Sequence, residues 1–127
     1  MAYYAEIVHV GVQTEAREGE IVDILVGVKN LYTSTIGILI GGALEYGVTP
    51  WPGITFVDTS YNTPAGATHY FSGAFTMPNK EVKVHVYSYY YGVDSGWHFD
   101  DEEVRTVKLS ALAPEFDALK ITDYERR

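Results

Sequence analysis

The chain has 127 residues, 46% hydrophobic and 20% charged, enough apolar content to bury one domain's core and too much for a disordered chain. Its 17 acidic and 9 basic residues give a net charge of −8, which repels phosphate backbones and anionic lipid. Nucleic acid is therefore not expected as a partner, and the absence of cysteine excludes disulfides, thiolate metal sites and cysteine nucleophiles.

From the N-terminus, Met1 to Glu6 lacks a basic segment followed by an apolar one, so no signal peptide is expected in this chain. A first strand is predicted from Tyr4 to Gln13, with Val8, Val10 and Val12 on one face. The turn-rich run Glu15 to Glu20 ends it. Val22, Ile24, Val26 and Val28 then alternate with Asp23, Leu25, Gly27 and Lys29, the pattern of a half-buried antiparallel strand that Asn30 closes. Ile36 to Leu44 is more uniformly apolar and rich in β-branched residues and glycine, which predicts a buried strand. It is too short to span a bilayer, so no membrane insertion is expected.

Glu45 to Gly53 reads as a rigid loop around Pro50 and Pro52, followed by a short strand from Ile54 to Thr59. Phe71, Gly73, Phe75 and Met77 alternate with polar residues. Pro78-Asn79-Lys80 then leads into Val82, Val84 and Val86, predicting a hairpin between the two strands. That second strand continues to Tyr91, Gly92 to Gly96 turns the chain, and a last strand runs from Trp97 to Leu109. About seven closely spaced strands, with no room for crossover helices, make an all-β antiparallel sandwich. Residues 1–112 are expected to form the sandwich and residues 113–127 a C-terminal tail.

Glu18-Gly19-Glu20 with Val22-x-Ile24-x-Val26-x-Val28-Lys29-Asn30 resembles the first hairpin of the bacterial cell-adhesion-related immunoglobulin-like domains. Pro64-Ala65-Gly66-Ala67-Thr68, Phe71-x-x-x-Phe75-x-Met77-Pro78 and Val82-x-Val84-x-Val86 resemble their later strands. The likeness runs from Val8 to Leu109 and describes strand edges and turns. It implies an immunoglobulin-like sandwich used for adhesion, spacing or assembly, as in prokaryotic surface proteins and phage particles, and it brings no catalytic residue.

Candidate chemistry is sparse. Asp100-Asp101-Glu102-Glu103, near Asp94, offers oxygen ligands for a hard cation, but alternate strand residues point to opposite faces, so a solvated, edge-protecting charge cluster is expected. His9, His69, His85 and His98 lack the two-residue spacing of paired ligands on a strand, although a hairpin would allow His69 to meet His85. No nucleophile elbow surrounds the serines and threonines, and Gly41-Gly42 precedes no helix, so neither an enzyme nor a cofactor or metal site is expected.

The 11 tyrosines are the unusual feature. If Val82, Val84 and Val86 face the core, Lys83, His85, Tyr87, Tyr89 and Tyr91 face outward, with Trp97 beyond the next turn. Such a row could pack on a neighbouring subunit, stack on sugar, or serve only cross-strand packing. In the tail, Phe116, Leu119 and Ile121 are apolar residues that the core does not obviously need; strand addition to a neighbour, folding back onto their own domain and a disordered end are all open to them. The expected function is a structural subunit of a homo-oligomeric assembly: a phage capsid decoration, tail or fibre protein, or a surface filament subunit. Its partners would be copies of itself or a structural protein of the host particle, at a virion or cell surface. The alternative is a carbohydrate-binding or adhesion module with glycans as ligands.

Overall fold

The computed structural model describes residues 2–93 and 96–110. Among these the chain runs through β1 (Ala5–Val12), β2 (Glu15–Ala16), β3 (Ile21–Asn30), β4 (Ile36–Glu45), β5 (Thr55–Phe56), β6 (Ser60–Thr63), β7 (Thr68–Thr76), β8 (Val82–Tyr91) and β9 (His98–Leu109). They form two sheets, one ordered β1-β3-β7-β5 and the other β2-β9-β8-β4-β6. Every pairing is antiparallel except the short parallel contact of β2 with β9.

Side chains alternate across a strand, so a sheet with one buried face sends every second residue inward. β3 does this with Val22, Ile24, Val26 and Val28, β7 with Phe71 and Phe75, and β8 with Val82, Val84 and Val86, all buried as the alternation predicts. β4 adds Ile36, Ile38, Ile40 and Leu44 from the facing sheet. The inner position of β7 at Gly73 must be small, because a Cβ there would lie 2.7 Å from the ring of Phe56 on β5.

Four expectations need correction. Val8 does not share a face with Val10 and Val12: the pairing of β1 with β3 shifts between Ile7 and His9. This bulge inserts one residue and reverses the parity of the strand. Ala5 and Ile7 are buried before it, Val10 and Val12 pack on the core after it, and Val8 is left 47% exposed. The strand predicted over Ile54 to Thr59 shrinks to the two residues of β5, after which the chain changes sheets: β5 pairs with β7, while β6, which starts at Ser60, pairs with β4.

The predicted hairpin between β7 and β8 is absent, because they lie in opposite sheets and the Met77–Glu81 connection crosses the sandwich. Finally, the run after β1 is more than a turn. Residues 13 and 14 carry the chain from one sheet to the other, where β2 lies beside the end of β9. Short strands of this kind carry too few residues to display a period.

Asn30 does more than close β3. Its buried amide nitrogen donates to the carbonyls of Ser34 and Thr63 at 2.9 and 2.8 Å, and its Oδ1 accepts from Tyr32 N–H at 2.7 Å. One side chain thus ties β3, the following loop and β6 together. The Asn30→Ala variant leaves three buried or half-buried backbone groups without this partner, and each such loss costs about 1–3 kcal/mol. We expect urea denaturation to show a loss of about 3 kcal/mol; a loss below about 1 kcal/mol would mean water replaces the amide.

Candidate functional site

The inner face of β8 closes the core, so its outer face is free to carry chemistry. Tyr87, Tyr89 and Tyr91 point outward from it, opposite Gly41, Leu39 and Gly37 of β4. Trp97 lies beside Tyr91 with ring centroids 5.1 Å apart, and its indole covers Gly37, where a Cβ would meet it at 3.3 Å. The structure therefore brings Tyr87, Tyr89, Tyr91 and Trp97 onto one surface, as the alternation predicts, with Tyr91 47% and Trp97 46% exposed. The tail positions Phe116, Leu119 and Ile121 lie outside the described residues.

Two members of this surface were not legible in the sequence. Phe99 packs edge-on to Tyr89 at 5.7 Å and near Tyr87 at 6.2 Å, extending the aromatic surface onto β9. Trp51 arrives from the Glu45 to Gly53 loop, which returns along the end of β4 through bonds from Leu44 N–H to Pro52 and from Ile54 N–H to Gly42. Its ring stacks on His85 at 4.6 Å. At the other end, Gly37, Ser60, Asn62, Tyr61, Tyr91 and Trp97 line an open depression of about 590 Å³.

His85 sits in the outer face yet is only 9% exposed. Its Nδ1 lies 2.8 Å from a Glu102 oxygen and its Nε2 lies 2.9 Å from a Glu45 oxygen. Carboxylates only accept, so both ring nitrogens are satisfied together when both carry a proton. Burial opposes that charge, but Glu102 and Glu45 outweigh it and hold the pKa of His85 above the ordinary imidazole value. With both nitrogens engaged, no lone pair is aimed at a substrate. Burial, reinforced by the nearby Glu102 carboxylate, also pushes the Tyr87 phenol up, which keeps it neutral.

His69 does not meet His85: it lies on β7 in the other sheet and stacks on Tyr61 at 3.8 Å. Among the described residues no group of three or more His, Asp or Glu converges as a metal site. The acidic run departs from a solvated cluster, because its side chains diverge to separate protein partners. Asp100 is buried and accepts the N–H groups of Tyr3, Tyr4 and Ala5 at 2.7, 2.8 and 2.6 Å. Asp101 accepts Ile7 N–H, Glu102 holds His85, and Glu103 binds Arg105 at 3.0 Å. The β8–β9 register shift next to Ser88 places Asp100 as the inserted residue and turns it toward β1.

Two facing sheets with this strand order make the chain an immunoglobulin-like β-sandwich. Solved structures agree on the fold. The PapD-like domain 7 of human CEP192 aligns with a TM-score of 0.56 at 7% identity, over 82% of this chain and 87% of that one. A chain of the human zinc 2-glycoprotein complex with prolactin inducible protein aligns at 0.53 and 7%, over 83% and 97%. The Pseudomonas fluorescens alkylpurine DNA glycosylase AlkC aligns at 0.56 and 11%, over 83% of this chain but 30% of that one. No protein-family model matches the sequence, and a search of curated proteins likewise gives no match.

Proposed function

We propose that the protein is a non-enzymatic structural subunit of a homo-oligomeric assembly, and that the outer face of the β8 sheet is its contact surface. The observation that carries this reading is the aromatic row Tyr87, Tyr89, Tyr91, Phe99 and Trp97, set on a sheet whose other face already closes the core. Aromatic rings with polar tips are enriched at protein interfaces, and fully burying an exposed side chain of this size contributes about 1.5–3 kcal/mol, correspondingly less for rings already half-buried. The likeness of its strand edges to adhesion-related and phage immunoglobulin-like domains favours such a subunit at a virion or cell surface, in contact with copies of itself or a structural protein of the particle.

Light scattering at micromolar concentration should reveal an oligomer that the double change Tyr91→Ser and Trp97→Ser weakens at least tenfold. Because every copy carries a net charge of −8, moderate salt should strengthen association by screening repulsion. A monomer at about 100 μM across salt conditions overturns the reading; at that concentration even weak, micromolar contacts are populated.

The depression between Trp97, Tyr91 and Asn62 supports a second reading, a carbohydrate-binding module. It joins exposed aromatic rings to an amide and the Ser60 hydroxyl, within the size range of small-ligand sites. A glycan array separates the two: retention of a neutral saccharide by a monomer, lost in Trp97→Ser, favours the second.

A further inference from the structure

We infer that His85, Glu45, Glu102 and Trp51 form a pH-sensitive clasp that positions the Glu45 to Gly53 loop and sets one end of the contact face. It rests on the assembly reading for its role, though not for its existence. The groups come from three strands and a loop. β4 supplies Glu45, β9 supplies Glu102, β8 supplies His85 with Tyr87 and Lys83 on the same face, and the loop supplies the uncharged Trp51. Val104 of β9, opposite His85, is apolar.

The doubly protonated ring donates to both carboxylates and presents a cation to the Trp51 ring, which stacks on it at 4.6 Å and 28°. A cation within about 6 Å of an aromatic face is attracted by the ring quadrupole. Removing one proton leaves a ring with one N–H and one lone pair, so one of the two carboxylates faces an acceptor at under 3 Å. That contact is repulsive and must open. Glu45 is the freer partner because it ends β4 and leads directly into the loop. The cation–ring attraction disappears in the same step, so Trp51 loses its seat.

The sign follows from the folded state holding its proton more tightly than the unfolded chain. The clasp is fully closed below the ordinary imidazole pKa of 6.5 and opens as pH rises through the higher folded value. Assembly through this face is therefore favoured at mildly acid pH and weakened as pH rises through the folded value of His85.

NMR on the full chain from about pH 6 to about pH 9 tests the inference, a range that brackets an imidazole held above its ordinary value. The His85 Cε1–H and Trp51 indole N–H signals are assigned with His85→Gln and Trp51→Phe. Both should titrate with one midpoint above 6.5. Glu45→Gln, at a half-exposed position that should leave the fold intact, should move both midpoints to lower pH together. A Trp51 signal that stays fixed while His85 titrates overturns the clasp, as does a variant that moves one midpoint alone. Light scattering over the same range should show association falling as both signals titrate. Strong association indifferent to pH overturns the regulatory role. A protein monomeric at every pH counts against the assembly reading, and the coincident titrations still decide the clasp.

Discussion

The Val26→Asp variant is expected not to fold. Val26 lies at the centre of β3, paired to Val10 of β1 and Phe71 of β7, and is fully buried between the sheets. A carboxylate there loses its hydration with no cation to pair it, which costs several kcal/mol even after relaxation. The apolar contacts of the valine are lost as well. Native domains of this kind are stable by about 5–15 kcal/mol, so a change of this size consumes most or all of the margin. Circular dichroism should show the variant unfolded, or melting far below the wild type. Leu25→Asp provides the matched control, since Leu25 is the next residue on the outer face and 39% exposed. It should shift stability by no more than about 1 kcal/mol. If the two variants are equally damaging, the register of β3 against the core is wrong.

This pair also marks what the sequence makes legible. In β3, β7 and β8 the inner face is filled mostly by β-branched and aromatic residues at alternate positions, and these residues are buried as the alternation requires. The outward row of Tyr87, Tyr89 and Tyr91 follows from the same parity. Parity fails where a strand carries an extra residue, because an insertion of one leaves no mark on an alternating pattern. Val8 on β1 and Phe99 on β9 both stand next to such shifts, and both were misplaced or missed for that reason.

Contacts between distant residues are hidden more deeply. His85 meets partners 17 and 40 positions away, and Trp51 reaches it from a loop. Nothing in the local spacing of four histidines singles out the one that lies between two carboxylates. The sheet change between β5 and β6 is likewise decided by which edge each short segment can reach, not by its own composition.

The Asp100→Ala variant is expected to lose about 4 kcal/mol of stability, judged from hydrogen bonds to a charged acceptor worth about 1.5–3 kcal/mol each and not fully additive. Edge strands expose unpaired backbone groups, and β1 is an edge of its sheet. Here side chains from the opposite sheet cover that edge. Asp100 takes the amides of Tyr3, Tyr4 and Ala5, Asp101 takes that of Ile7, and Ser88 donates to the Ala5 carbonyl at 2.6 Å. These contacts staple the two sheets together at the start of β1, whereas the chain itself crosses between the sheets at that strand's other end. The identity of the acceptor should matter as much as its presence. Asp100→Asn retains one carbonyl oxygen but turns an NH₂ group toward amide donors, so it should cost nearly as much as alanine. Hydrogen exchange at Tyr4, Ala5 and Ile7 should accelerate in both variants, while the amides of β8 keep their protection relative to global unfolding. Should Asp100→Asn remain within about 0.5 kcal/mol of the wild type, the carboxylate is dispensable and the bulge alone, by its shape, seats the first strand.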